Sequence, residues 1–114
     1  MKHLLLILFF APVVGFAQLK ANATGSVTYG YLTGSITLDG TGSTDPNGYN
    51  DIVKFEWTQV SGPNQAAIAF PLTPKTLVAN LAKGIYVFRL KVTDRGGLSD
   101  TDDMKVTIKV KGKG

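Results

Sequence analysis

An all-β fold is predicted for this 114-residue chain, a two-sheet antiparallel sandwich of about seven short strands. Three observations carry that expectation. Apolar residues recur with period two, most clearly where Tyr86, Phe88, Leu90 and Val92 alternate with Val87, Arg89 and Lys91, as in strands that bury one face. Clusters of Gly, Pro, Asn and Asp break the chain roughly every 8 to 12 residues, the turn spacing of sandwiches. No window keeps a helical apolar period for three turns, and there is no internal repeat, heptad or low-complexity tract.

Residues 1–17 stand apart from this pattern. Lys2 and His3 precede an almost unbroken apolar run from Leu4 to Phe16, and Gly15-Phe16-Ala17 puts small residues at the two positions a signal peptidase reads. A signal peptide is therefore expected at 1–17, with Gln18 as the mature start and a secreted or cell-surface location, extracellular or periplasmic. The 13 apolar residues fall short of the roughly 20 needed to cross a bilayer. No membrane span is expected after cleavage, and no cysteine follows the run to take a lipid. The absence of any cysteine also leaves packing, with or without a metal ion, to do what disulfides do in most small exported domains.

Residues 18–34 read as a lead-in and first strand. Gln18 to Thr24 is polar, a frayed stretch or a weak edge strand, and Asn22-Ala23-Thr24 matches a glycosylation acceptor triplet that is common by chance. Val27, Tyr29 and Tyr31 alternate, which predicts a strand at 26–31, and Ile36 and Leu38 predict another at 35–39. A Gly-rich loop follows, in which Pro46 presets a turn and Asp45 and Asn47 can bond their own backbone. Val53, Phe55 and Trp57 then alternate with Lys54, Glu56 and Thr58, and Trp57, the only tryptophan, is taken as the core anchor.

Gly62-Pro63-Asn64 breaks that strand. Ala66 to Phe70 can form a short one before Pro71 and Pro74, and Thr76 to Leu81 another that stops at Lys83-Gly84. The run from Tyr86 to Val92 is a central strand, turned by Asp94-Arg95-Gly96-Gly97. Met104, Val106, Ile108 and Val110 alternate with Lys105, Thr107, Lys109 and Lys111 in the last strand, and residues 111–114 read as a flexible tail. Sheet-on-sheet packing would bring Phe55, Trp57, Tyr86, Phe88, Leu90, Val106 and Ile108 into one core.

The inventory of reactive groups counts against catalysis. The only histidine, His3, lies in the expected signal peptide, so acid-base or nucleophilic chemistry would fall to carboxylates and lysines. The seven aspartates sit mostly in turns. A formal net charge of +4, or +3 once Lys2 is removed, demands neither nucleic acid nor an anionic membrane as partner. A monomer is expected.

Asp45, Asn47 and Asp94 form the cluster to single out. Calcium takes several oxygen ligands from flexible loops, and Asp-x-Asn offers two side-chain oxygens pointing the same way; the same residues can equally serve only as turn caps. Asp100, Asp102 and Asp103 read as the solvated start of the last strand. Lys105, Lys109 and Lys111 on its outward face, with Lys113 beyond, either attract an anionic polysaccharide or cell surface or guard an exposed strand edge. Tyr29, Tyr31 and Tyr49 either stack on sugar rings or pack at strand ends.

Three phrases in this order and spacing, LDGTGSTDPNG, FEWTQVSGP and LAKGIYVFRLKVTDRGGLSDTDDMKVTIKV, resemble the polycystic-kidney-disease (PKD) domain. The run from Trp57 to Pro63 is more similar to the receptor-for-egg-jelly branch than to the branch with a Trp-x-Phe-Gly-Asp-Gly loop. The resemblance covers 35–110 and implies an extracellular immunoglobulin-like β-sandwich, and the short signal segment points to a bacterial secreted type. It implies no catalysis, and either contact with an extracellular protein or polysaccharide or the role of a structural spacer. Some members bind calcium at positions that correspond to Asp45, Asn47 and Asp94. Asn47 stands where the family often has aspartate, which removes a negative charge and weakens such a site.

If export removes residues 1–17, the intact mass of the secreted product corresponds to a chain beginning at Gln18. A product that retains Met1 would refute the processing.

Overall fold

The computed structural model describes residues 19–25, 35–46 and 51–109. The expected signal peptide, the strand expected at 26–31 with Tyr29 and Tyr31, Asn47 and Tyr49 of the long loop, Val110 and the tail with Lys111 and Lys113 lie outside them. The described residues form seven strands: β1 (Thr24–Gly25), β2 (Ile36–Asp39), β3 (Ile52–Ser61), β4 (Ala67–Ile68), β5 (Lys75–Ala79), β6 (Gly84–Asp94) and β7 (Ser99–Ile108). Two antiparallel sheets result, one in the order β1-β2-β5-β4 and the other β3-β6-β7. That division, four strands facing three, is the one found in immunoglobulin-like sandwiches.

The core lies between the sheets and is built on β6. Tyr86, Phe88, Leu90 and Val92 line its inner face and are fully buried, with Phe55 and Trp57 beside them on β3 and Val106 and Ile108 on β7. Ile36, Leu38 and Val78 close the core from the other sheet. The Tyr86 and Phe88 rings stack with centroids 5.8 Å apart.

Trp57 is gripped from both sides. Its strand pairs with β6 through Leu90, while on the other side its backbone N–H donates to Pro71 O at 2.8 Å and its indole Nε1 donates to Thr73 O at 3.0 Å. The segment between the two prolines thus acts as a strap across the outer edge of β3. Gly40 lets the second sheet come close to the same ring. A Cβ there would stand 2.6 Å from Leu90 Cδ2 and 3.3 Å from Trp57 Cζ2, so any side chain at 40 would push the sheets apart.

The end of the sandwich opposite the long loop is closed by the residues of the Gln-Val-Ser-Gly-Pro-Asn run. Gln59 lies on the inner face, where its Nε2 donates to Asn64 O and its Oε1 accepts from Ala66 N–H. Tyr86 Oη accepts from Ala82 N–H at 2.7 Å and donates to Asn64 Oδ1, a tyrosine corner that ties the β5-β6 connection to the start of β6. Gly62 lies against the Tyr86 ring, which occupies the space a Cβ would need.

Four expectations need correction. Val53 faces outward at 55% exposure and Ile52 is buried instead, because a register shift between Ile52 and Lys54 inserts one residue and flips the alternation at the start of β3. The last strand begins at Ser99 rather than at Met104, because it pairs with β6 along nearly its whole length, whatever the polarity of its first residues. The strand expected from Ala66 to Phe70 shrinks to two residues, and β5 runs from Lys75 to Ala79, ended by Asn80 at φ 60°. Finally, Asp100 and Asp102 do not simply solvate a strand start. They face inward from β7, and their Oδ2 atoms accept from Ala21 N–H at 2.9 Å and Ala23 N–H at 2.7 Å, anchoring the 19–25 segment over the side of the sandwich.

Replacing Trp57 by alanine should cost about 3–5 kcal/mol, a large part of the roughly 5–15 kcal/mol that holds a domain of this size. Urea denaturation followed by circular dichroism measures this. A midpoint close to the parent's would contradict the placement of Trp57 between the sheets.

Candidate functional site

The most concentrated chemistry lies at the end of the sandwich where the long loop meets the β6-β7 turn. Ile52 pairs with Asp94, so the start of β3 abuts the end of β6, and Asp51 falls beside Asp94. Arg95 N–H donates to Asp51 O at 3.0 Å and fixes that juxtaposition. The turn itself is closed by Asp94, whose N–H donates to Leu98 O, whose carbonyl accepts from Gly97 N–H, and whose Oδ1 accepts from Leu98 N–H at 2.9 Å.

The long loop brings a third carboxylate. Lys20 and Thr44 exchange backbone hydrogen bonds of 2.8 and 3.0 Å, and Asn22 N–H donates to the buried Ser43 Oγ at 3.0 Å. The loop is thereby held against the 19–25 segment, which the β7 aspartates already anchor. Asp45 emerges from it buried, at 8% exposure, with Oδ2 shut off from solvent. Asp45, Asp51 and Asp94 each offer an oxygen within 4.8 Å of the others. Arg95 adds a neighbouring positive charge, with Nε 3.6 Å from Asp51 Oδ1.

Two of the three expected ligands, Asp45 and Asp94, are thus brought together, and Asn47 lies outside the described residues. Asp51 was not anticipated. Its signal was the pairing of β3 with β6, which sets the residue just before one strand against the last residue of the other. The burial of two of the three carboxylates, Asp45 and Asp94, is costly without compensating charge or hydrogen bonds. Calcium–oxygen distances of about 2.3–2.6 Å place ligands on opposite sides of an ion up to about 5 Å apart, so the observed 4.8 Å spread fits a single cation held among them.

A shallow groove of about 350 Å³ lies on the outer face of the four-stranded sheet, lined by Thr37, Phe70, Lys75, Thr76 and Leu77. Its exposed aromatic, Phe70, sits between β4 and the strap.

Residues 23–108 match the family model described as K319L-like, PKD domain. The chain belongs to that family. The PKD module is 39% identical over 75 residues to the dyslexia-associated protein KIAA0319 homolog of Mus musculus, a match covering 66% of this chain and 7% of the relative. It is 33% identical over 76 residues to low-density lipoprotein receptor-related protein 11 of Homo sapiens, covering 67% of this chain and 15% of the relative. The module therefore corresponds to a small part of these longer proteins. Among solved structures it is similar to the PKD domain from KIAA 1837 protein, with a TM-score of 0.71 and 26% identity over 86% of this chain and 93% of that one. The immunoglobulin-like sandwich expected of the chain is the fold of this family.

Proposed function

We propose that this PKD module is a secreted or surface-exposed, non-enzymatic domain that makes contact with an extracellular protein or polysaccharide. Membership of the family over residues 23–108 is the observation that carries the reading. The apolar stretch from Leu4 to Phe16 supports export, and the lack of cysteine and of any histidine beyond His3 supports a role without catalysis. The receptor-for-egg-jelly branch and a bacterial source are part of the same reading. They rest on the phrase from Trp57 to Pro63 and on the short leader. A structural spacer is the other role open to such a module, and arrays of glycans and of extracellular proteins together separate the two: a contact module retains at least one glycan class or protein ligand, a spacer none.

Within this reading the acidic end holds calcium, with Asp51 added to Asp45 and Asp94 and with Asn47 as a further oxygen donor. Arg95 competes with the ion for Asp51 and, being mostly exposed, can swing into solvent when the ion enters. The turn-capping role of Asp94 through Leu98 N–H is compatible with this, since it uses Oδ1 and leaves Oδ2 for an ion.

For a site of this composition a dissociation constant of about 0.1–1 mM is expected. At 1 mM calcium and the tight end of that range, binding adds about 1.4 kcal/mol, or roughly 6–11 °C in melting temperature for a domain of this length. The calcium increment should disappear in Asp45→Ala, Asp51→Ala and Asp94→Ala, and should grow in Arg95→Ala. A parent melting temperature indifferent to calcium would leave these residues as turn caps alone.

A further inference from the structure

The outer face of the three-stranded sheet carries a second pattern. On β3 it presents Lys54, Glu56 and Thr58, on β6 Ile85, Val87, Arg89, Lys91 and Thr93, and on β7 Ser99, Thr101, Asp103, Lys105 and Thr107. The register orders the cations. Lys54 stands opposite Thr93, Lys91 opposite Glu56 and Thr101, Arg89 opposite Thr58 and Asp103, and Lys105 opposite Val87. Lys54, Lys91, Arg89 and Lys105 therefore descend in equal steps of two residues along β6 while crossing from β3 to β7. With a rise of about 3.4 Å per residue and strands about 4.8 Å apart, this diagonal is roughly 23 Å long.

Both carboxylates on the face are engaged. Asp103 receives Arg89 Nε at 2.8 Å and Nη2 at 3.0 Å, and Glu56 lies 3.8 Å from Lys54 Nζ. The two-pronged bond to Asp103 lays the Arg89 guanidinium toward β7 and leaves its other N–H groups available. Lys91 and Lys105 are exposed, and neither makes an ion pair with a described carboxylate. Among the described residues the opposite sheet offers no such array, since on its outer face Lys75 is paired with Asp39 and its neighbours Leu77 and Phe70 are apolar.

We propose that the outer face of the β3-β6-β7 sheet binds a linear anionic polysaccharide, carrying sulfate or carboxylate groups, along the diagonal of Lys54, Lys91, Arg89 and Lys105. The proposal rests on the contact role argued above and gives that role a face and a ligand class. A linear row of cations matches a chain of regularly spaced anions, and an open sheet face leaves room for an extended polymer to lie along it. The hydroxyls of Thr58, Thr93, Thr101 and Thr107 flank the row and can exchange hydrogen bonds with sugar hydroxyls. Among the described residues the face carries no aromatic side chain on which nucleic-acid bases would stack. Its exposed aliphatic residues are scattered, Val53 at the bulge beside Lys54 and Val60 and Ile85 toward the other end of the sheet, so they form no continuous apolar patch for insertion into a lipid surface.

The test uses the full chain and heparin as probe, with unsulfated dextran, single-stranded DNA and phosphatidylserine vesicles alongside. Heparin should bind at low salt, weaken as salt screens the charges, and be preferred over the other three. The double variant Lys91→Glu/Lys105→Glu should bind heparin about tenfold or more weakly, a loss of the size expected from reversing two surface charges. Lys91→Gln/Lys105→Gln should shift in the same direction by less and guards against misfolding from the new carboxylates. The single variant Lys75→Glu, on the outer face of the opposite sheet, should stay within about twofold of the parent, whereas Lys91→Glu, with the identical change in net charge, should not.

Equal losses in Lys75→Glu and Lys91→Glu would reduce the effect to net charge and overturn the assignment. Tighter binding of DNA or of vesicles through the same lysines would assign the face to that other class. If the chain captures neutral glycans or a protein but not heparin, this proposal fails while the contact role survives; if it captures nothing at all, both fail.

Discussion

The placement of Trp57 is the constraint on which the rest of the molecule depends. The indole fills the space between the sheets, while its strand is held by β6 along one edge and by the 71–73 strap along the other. With β3 gripped at its middle, its two ends have fixed destinations. The start delivers Asp51 to Asp94, and the end delivers Gln59 to the loop that closes the far side of the sandwich. The outward alternates of the same strand, Lys54, Glu56 and Thr58, become part of the charged face. A strand slipped by one residue would bury that charge and expose the indole, so both candidate surfaces follow from one well-packed ring.

The phrase from Trp57 to Asn64 owes its composition to geometry at every position that matters. Gln59 is a polar residue at an inward position, tolerable because both ends of its amide are bonded to the loop it faces. Gly62 has no side chain because the Tyr86 ring occupies the space, and Asn64 supplies the acceptor that the Tyr86 hydroxyl needs. The tyrosine in turn receives Ala82 N–H and pins the β5-β6 connection. Buried polar groups are thus satisfied as a connected set, a condition that makes such a network rigid and sensitive to loss of any member.

At the other end, stability and chemistry are coupled. Asp100 and Asp102 secure the 19–25 segment, that segment secures the long loop through Thr44 and Ser43, and the loop presents Asp45. Aspartates on β7 therefore position a carboxylate far from them in sequence. Charge is also sorted by region, with carboxylates converging at one end and cations spread along one sheet. The domain carries only a mild net charge, yet its local fields differ in sign.

Period-two patterning was enough to read the sandwich class, the central strand and the buried residues Phe55, Trp57, Tyr86, Phe88, Leu90, Val106 and Ile108, because alternation is a local property of an extended chain with one dry face. The same locality placed Asp45 and Asp94 at turns. It failed wherever pairing with a distant segment overrode composition. The bulge after Ile52 turned Val53 outward, and the partner strand β6 drew the polar start of β7 into the sheet. Asp51, the anchoring roles of Asp100 and Asp102, and the diagonal of Lys54, Lys91, Arg89 and Lys105 all depend on which residues stand opposite one another across strands. Register between strands distant in sequence is set by the packing of the whole core. The sequence by itself determined which residues face inward along most strands; only the tertiary structure decided which side chains meet.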